Sequence, residues 1–457
     1  MEPCYDLIVI GGGPGGYPAA IRAAKAGKRV AVAEAGQLGG TCLNRGCIPT
    51  KTLLHTAEIY RQAAHMGEMG LSVQGLAVEM PALLAYKAQV VQTLREGIAA
   101  QFKAAKIDLY PCRAQVAGEG RVTLADGRTL SASHILVAAG SAPAPLPVPG
   151  LDGSLPGVED STSLLNRPAL YDHLVIVGGG VIGMEFASLY TSLGRRVTVL
   201  EAAGRILPGL DREFSQSLRM VLKKRGAEIF TGAALSRVEQ DPAGGLRCFW
   251  QSQGKEESVG CDGVLVAVGR RGCAEDAFTP DCRAGLSFQK GYVQVDSQFA
   301  TPLPGVWAVG DAIGGIQLAH MATAQGYQAL RGMFGPEIAP DKDLSTVPSC
   351  VYTDPEIASV GLTADEAKAQ GIQVAVKKYL MGANGRSVLT NQERGFVKLV
   401  AEASTGRLLG AQLLCAHATD IIGEAALAVS QGLTLAQIAS TIHPHPTFCE
   451  GFGEAAE

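Results

Sequence analysis

The sequence predicts an α/β fold in which two Rossmann-like dinucleotide-binding units are joined by a smaller C-terminal α+β domain. Two observations carry this prediction. A strand–glycine-rich turn–helix–strand unit occurs twice in the 457 residues, and beyond residue 341 the texture changes to alternating apolar strands and a long helix. The length accommodates about three domains of roughly 150 residues each.

Asp6-Leu-Ile-Val-Ile-Gly-Gly-Gly-Pro-Gly-Gly16 and His173-Leu-Val-Ile-Val-Gly-Gly-Gly-Val-Ile-Gly183 align without gaps at an offset of 167 residues. The match continues through Gly27-Lys-Arg-Val30 against Gly194-Arg-Arg-Val197, and each copy ends in a carboxylate, Glu34 or Glu201, 23 residues after its first glycine. Gly11 and Gly178 permit the tight turn, Gly13 and Gly180 let a pyrophosphate approach the backbone, and Gly16 and Gly183 allow close helix–strand packing. The pyrophosphate meets the positive end of the helix, and each acid can accept hydrogen bonds from a ribose hydroxyl. One such turn is weak evidence. Two in full context predict two bound dinucleotides.

Pro18 lies inside the first helix, where its missing donor predicts a kink in the early turns. In the second copy Glu201 would repel the 2′-phosphate of NADP and so favours NAD. Arg195 and Arg196 precede that strand as a solvated turn. Arg205, four residues beyond the acid, is the counter-evidence.

The first unit is expected over 1–150, with a helical excursion near 50–105, and the Pro-rich passage Ala142–Pro149 closes it as a linker. The second spans 151–270 and ends in a strand over Gly263–Gly269. A strand and turn over Gly305–Asp311 and a helix over Leu318–Met333 follow, within a return segment, 271–340, that rejoins the first unit. The third domain covers 341–457, with strands at Phe396–Ala401 and Leu408–Leu414 and a helix at Asp420–Gly432.

Composition excludes several classes. A net charge of −4 and a pI near 6.1 offer nothing to nucleic acid or an anionic membrane. No uncharged run long enough to span a bilayer is free of Gly and Pro; Ile135–Leu151 lacks charge but carries four prolines. The chain enters a strand at Tyr5 without a basic leader, so no secretory signal is expected. Eleven cysteines, an odd and mostly isolated set, fit a reducing cytoplasm better than a disulfide framework. The 57 glycines suit many tight turns and backbone–phosphate approaches.

Chemistry concentrates in Gly39-Gly-Thr-Cys-Leu-Asn-Arg-Gly-Cys-Ile-Pro-Thr-Lys51, just after the first unit's second strand. Cys42 and Cys47 lack the second close cysteine pair that a zinc site would require. A helix starting across them would lower a thiol's pKa, and a dithiol beside a redox cofactor can pass two electrons by opening and closing a disulfide. Lys51 follows one helical turn later. From the residues alone it is either an exposed helix lysine or a cation paired with Glu185 beside the cofactor. Near the C-terminus, His443-Pro-His-Pro-Thr-Phe-Cys-Glu450 sets His445 five residues before Glu450, a base held in one tautomer by a carboxylate. His443 reads as a satisfied surface turn, and Cys449 has no assigned role.

Together with Ala308-Val-Gly-Asp311 and Val347-Pro-Ser-Cys-Val-Tyr-Thr-Asp-Pro-Glu356, these motifs resemble those of the pyridine nucleotide–disulfide oxidoreductases over essentially the whole chain. The resemblance implies FAD in the first unit, with Glu34 on its adenosine ribose, Asp311 on its ribityl chain and Gly140 in the same site. It implies NAD in the second unit, around Gly178, Gly180, Gly183, Glu201 and Gly269. Cys47 would be the flavin-side, charge-transfer thiolate and Cys42 the thiol that exchanges with substrate. Lys51 and Glu185 would sit near the flavin's reactive nitrogen. His445, after a cis peptide bond to Pro446, and Glu450 would serve the disulfide of the other subunit of a homodimer.

The implied reaction is oxidation of protein-bound dihydrolipoamide to lipoamide with reduction of NAD. The lipoyl group would be carried by a partner, such as the acyltransferase of a 2-oxoacid dehydrogenase complex or the carrier of a glycine cleavage complex. No metal is implied. A mercuric-ion-reducing relative would end in vicinal cysteines, which this chain lacks, and a glutathione-reducing one would use NADP, which Glu201 opposes. A mainly structural role in an acyl-transfer complex is opposed by the intact set Cys42, Cys47, Lys51, Glu185, His445 and Glu450.

Overall fold

A computed structural model describes residues 4–252, 254–392 and 394–457. Its first sheet has seven strands, whose parallel part runs in the order Asp108–Tyr110, Val30–Ala33, Cys4–Ile10, Thr129–Val137. Val306–Ala308 adds to the same sheet, parallel to Thr129–Val137. Leu7, Ile8 and Val9 are all fully buried. That is why the strand reads as a continuous apolar run rather than an alternation: Leu7 and Val9 face helices on one side, and Ile8 faces Val116, Val122 and Phe278 on the other, so both faces are covered. Each such side chain contributes roughly 1.5–3 kcal/mol by leaving water.

The second sheet is wholly parallel, in the order Ala227–Thr231, Arg196–Glu201, His173–Val177, Gly263–Val266, Val158–Glu159. A three-stranded antiparallel meander over 234–261 packs Trp250, Val238 and Leu246 onto it. Exit from and return to the first unit are neighbours, because Ser141–Pro143 pairs antiparallel with Arg270–Gly272. The last domain is a five-stranded antiparallel sheet against which helix Ala418–Ser430 buries Ile421, Ile422 and Ala425.

One apolar core ties the three parts together. Leu53 and Ala57 of the helix that follows the thiols meet Met184 and Phe186 of the second unit and Val351, Ile357 and Phe396 of the last domain. Helix Val181–Ser192 is accordingly buried on every side from Gly183 onward.

Several sequence expectations need correction. Pro18 does not kink its helix: the helix starts at Tyr17, so Pro18 occupies the first turn, where no N–H has an intrahelical partner. The strand expected over Gly263–Gly269 stops at Val266, and Gly269 turns away at φ +124. Within Gly305–Asp311 only Val306–Ala308 is strand, followed by a single 3-10 turn from Gly310. Among the described residues no helix is long and apolar enough to cross a membrane.

Candidate active site

The repeat is geometric as well as sequential. Glu34 accepts the N–H groups of Gly12 and Gly36, both at 2.6 Å. At the matching place Glu201 accepts those of Gly179 at 2.5 Å and Ala203 at 2.6 Å. A carboxylate offers about four lone-pair sites, so each acid keeps capacity for ribose hydroxyls. Arg205 is tied down elsewhere, donating to the carbonyls of Leu210 (2.7 Å) and Pro208 (2.6 Å). The one cation that argued for a 2′-phosphate is therefore engaged.

The glycines divide into two kinds. An added Cβ at Gly16 would lie 1.9 Å from the Gly11 carbonyl oxygen, and one at Gly183 2.0 Å from that of Gly178. These two exist for helix–strand contact. Gly180, by contrast, would have nothing within 4 Å of its Cβ and faces a cavity; that open space fits a pyrophosphate approaching the backbone. Gly183→Ala is expected to lower stability by about 1–3 kcal/mol through overpacking, read as a lower denaturant midpoint. Gly180→Ala should keep the midpoint and lose dinucleotide affinity. Equal midpoints for the two variants would contradict this division.

The cavity has a volume of about 1340 Å³ and is shared by both units. Gly13, Glu34, Cys42, Cys47, Lys51, Gly140 and Asp311 line one part of it, and Gly178, Gly180, Glu185, Glu201 and Gly269 the other. Gly11, Gly16 and Gly183 stand behind the wall as turn and packing residues. This arrangement fits two dinucleotides meeting over a dithiol.

Cys42 sits in the short helix Gly40–Arg45 and Cys47 is the first residue of helix Cys47–Ala64, with Gly46 breaking between them. The single helix start expected across both thiols is thus two helices, and only Cys47 occupies the N-terminus of the long one. Gly40 (φ +59) presses the thiol turn onto the first glycine turn, since a Cβ there would lie 2.6 Å from Gly13 Cα. Asn44 pins the turn by donating to the carbonyls of Leu38 (3.0 Å) and Gly40 (2.9 Å). Both cysteines are free thiols.

The two thiols are electrostatically unequal. A hydrogen bond from Cys42 draws the Cys47 thiol down to about 7, and the nearby Lys51 charge works in the same direction against burial. The same hydrogen bond and burial push Cys42 far up. The pair therefore carries its negative charge on Cys47 and its proton on Cys42.

Lys51 and Glu185, 134 residues apart, form an ion pair with both carboxylate oxygens at 2.7 Å from Nζ. Glu185 also accepts the Tyr352 N–H at 3.1 Å, and Lys51 lies 4.6 Å over the Tyr352 ring. Tyr352 lies within the Val347–Glu356 motif, where its sequence position alone signals no role. Asp311 accepts the Ser141 hydroxyl, and Arg270 donates to the same hydroxyl at 2.7 Å, a bridge between exit and return strands also unforeseen. Its one signal was position, directly after Gly269.

His445 and Glu450 are paired, Nδ1 to Oε1 at 2.7 Å, but do not line the cavity. The second oxygen of Glu450 accepts the Thr447 N–H at 2.8 Å, and these bonds hold its carboxyl below the usual range. With Nδ1–H bonded to the carboxylate, Nε2 is the free acceptor, and the ring is 77% exposed. The His445–Pro446 bond is cis. His443 is less superficial than expected: its side chain is only 10% exposed and Nε2 meets Glu424 at 3.0 Å. Cys449 touches the Thr447 hydroxyl at 3.0 Å.

Comparison with known proteins gives the same picture. Residues 5–326 match the family model described as pyridine nucleotide-disulphide oxidoreductase, and residues 347–456 match that family's dimerisation domain. A dihydrolipoyl dehydrogenase of Geobacillus stearothermophilus is 36% identical over 99% of this chain and 95% of its own, and one of Bacillus subtilis is 37% identical over 100% and 98%. Among solved structures, the HOCl-induced flavoprotein disulfide reductase RclA of Escherichia coli, in a Cu(II) complex, superposes with a TM-score of 0.88 at 29% identity, covering 99% of both chains. LpdA of Mycobacterium tuberculosis superposes with a TM-score of 0.89 at 28% identity, covering 98% of both. With both family models matched over most of the chain and relatives more than a third identical over nearly their whole length, the chain belongs to the pyridine nucleotide-disulphide oxidoreductase family.

Proposed function

We propose that this flavin-dependent enzyme oxidises protein-bound dihydrolipoamide to lipoamide and reduces NAD+ to NADH. The observation that carries this is the Cys42–Cys47 pair in the lining of one cavity shared by two dinucleotide turns. Residues 1–150 with 271–340 hold FAD, through Gly11, Gly13, Gly16, Glu34, Gly140 and Asp311. Residues 151–270 hold NAD, through Gly178, Gly180, Gly183, Glu201 and Gly269, and residues 341–457 pair two copies of the chain. A flavin held there would supply an acceptor for the electron pair of the dithiol, and a nicotinamide held by the second unit would supply the final hydride acceptor.

The chain's own residues do the sulfur chemistry. A substrate thiol gives its proton to Nε2 of His445 from the other subunit and attacks Cys42 of the disulfide, breaking the S–S bond and expelling Cys47 as thiolate. That choice of sulfur is favoured because a more stabilised leaving thiolate departs faster, and the Lys51 charge that favours the Cys47 thiolate is in place while Cys42 is held in the mixed disulfide. The second substrate thiol then attacks the mixed disulfide at the substrate sulfur. This closes lipoamide and leaves Cys42 protonated. Glu450 holds His445 in the tautomer that accepts at Nε2, and Lys51, locked by Glu185, keeps a fixed positive charge beside Cys47.

The partner is a lipoyl-bearing protein of a 2-oxoacid dehydrogenase or glycine cleavage complex. A reducing cytoplasm suits the eleven free cysteines. The test is a steady-state assay of the yellow holoenzyme with dihydrolipoamide, glutathione disulfide, mercuric and cupric ions, each with both nicotinamide cofactors. Preference for dihydrolipoamide and NAD+ supports the proposal. Preference for another disulfide or for a metal ion would place the chain with the disulfide reductases of that substrate. An inert protein that still binds an acyltransferase core would mark it as a structural subunit.

Cofactor choice has its own prediction. Glu201→Gln removes the charge that opposes a 2′-phosphate, and the NAD-over-NADP ratio of kcat/KM is expected to fall about tenfold by loss of a repulsive element. An unchanged ratio would remove the argument from Glu201.

A further inference from the structure

His445 has little packing of its own. Its ring is 77% exposed, so something else must hold the segment from His443 to Glu450 in one conformation. Beyond a local contact of His443 Nδ1 with the Thr441 carbonyl, two side-chain tethers, one on each side of His445, join that segment to the rest of the described chain by hydrogen bonds. His443 is held by Glu424 at 3.0 Å. On the other side the Nδ2 amide of Asn384 donates to the carbonyl of Thr447 at 2.9 Å.

We propose that Asn384 is a positioning residue for His445, acting through Thr447 and Glu450. Asn384 is only 2% exposed and every polar atom of its side chain is engaged. Its Oδ1 accepts the N–H of Ser387 at 2.9 Å and the Ser387 hydroxyl at 3.0 Å, which caps the short helix Gly385–Leu389 and fixes the amide plane. That plane presents Nδ2 to Thr447. Thr447 then does two things at once: its N–H binds Glu450 Oε2 at 2.8 Å and its hydroxyl closes the turn onto the Pro444 carbonyl at 2.7 Å. Glu450, so placed, receives Nδ1–H of His445 at 2.7 Å. The orientation of an exposed imidazole is thus set from a buried amide three hydrogen bonds away. Phe448, 9% exposed and packed on the His417 ring, anchors the same loop by burial but has no direction to impart. Hydrogen bonds do, since they weaken steeply when misaligned.

This inference rests on His445 being the base of the thiol reaction. Two substitutions separate the tether from the cap. Asn384→Asp keeps an oxygen for Ser387 but turns a second oxygen toward the Thr447 carbonyl. Asn384→Ser keeps a good capping oxygen and is too short to reach Thr447. In the FAD-loaded dimer, stopped-flow absorbance would record reduction of the oxidised enzyme by dihydrolipoamide and, separately, by NADH, beside a thermal melt. The expected result for both variants is a fall of about tenfold in the dihydrolipoamide rate, a part of what a general base supplies, with the NADH rate unchanged. A merely structural role would lower both rates together or only the melting temperature, and either outcome, or no change at all, overturns the proposal. His445→Gln is run in parallel. If it leaves the dihydrolipoamide rate intact, the base assignment fails and this inference with it; if it slows that rate and the Asn384 variants do not, the inference alone fails.

Discussion

Cys42→Ser is expected to cut dihydrolipoamide turnover by at least about a thousandfold, the scale on which loss of a nucleophilic partner acts, and to leave the long-wavelength colour of a thiolate against bound flavin. The two effects separate because the proposed mechanism gives the sulfurs separate duties. Without Cys42 no disulfide can form, so substrate has nothing to attack. Cys47, first residue of an 18-residue helix and near Lys51, remains as the thiolate. A visible spectrum of the purified variant and a dihydrolipoamide–NAD+ assay decide it, and loss of colour would mean the two sulfurs are assigned the wrong way round.

The hydrogen bond between the thiols sharpens this. It is the largest cause of the depressed Cys47 pKa, ahead of the Lys51 charge. Serine keeps a donor at position 42 and alanine does not, so the colour of Cys42→Ser should persist to lower pH than that of Cys42→Ala. The sign follows from the depressed value: the thiolate is present above about 7 and is lost as pH falls through it, and removing the donor moves that midpoint upward. Identical midpoints would show that the helix start and Lys51 set the pKa alone.

What could be read in the sequence was local or repeated. The offset of 167 residues exposed both glycine turns because each constrains its own backbone: Gly183 admits no Cβ, and neighbours close in sequence show why. The pairing of His445 with Glu450 was legible for the same reason, as five residues and two prolines bring them together. Lys51 and Glu185 are 134 residues apart, and nothing in either segment encodes their meeting. It arises because helices Cys47–Ala64 and Val181–Ser192 share one core through Leu53, Ala57, Met184 and Phe186. Tyr352, Arg270 and Asn384 stayed hidden for that reason: each acts on a group brought near by tertiary packing. Pro18 shows the opposite error, a local rule applied one turn too far in, since a helix boundary decides whether proline breaks or starts a helix.

Two inactive variants are expected to restore activity when combined. His445→Gln alone should lower turnover by about a hundredfold or more, the usual share of a positioned general base. Cys42→Ser alone is inactive, as argued above. Within one chain neither His445 nor Glu450 lines the cavity that holds the thiols, while family likeness assigns residues 347–456 to dimerisation. If the base serves the neighbouring subunit, a hybrid of one Cys42→Ser chain and one His445→Gln chain holds one site with both defects and one with neither. A doubly tagged hybrid, purified through both tags, should then show about half of wild-type turnover per dimer, because a two-fold dimer has two equivalent sites. If the base serves its own subunit, each site keeps one defect and the hybrid stays inactive. The two outcomes, about half of wild-type turnover against about half of the residual turnover of His445→Gln, stay far apart because each single defect is severe.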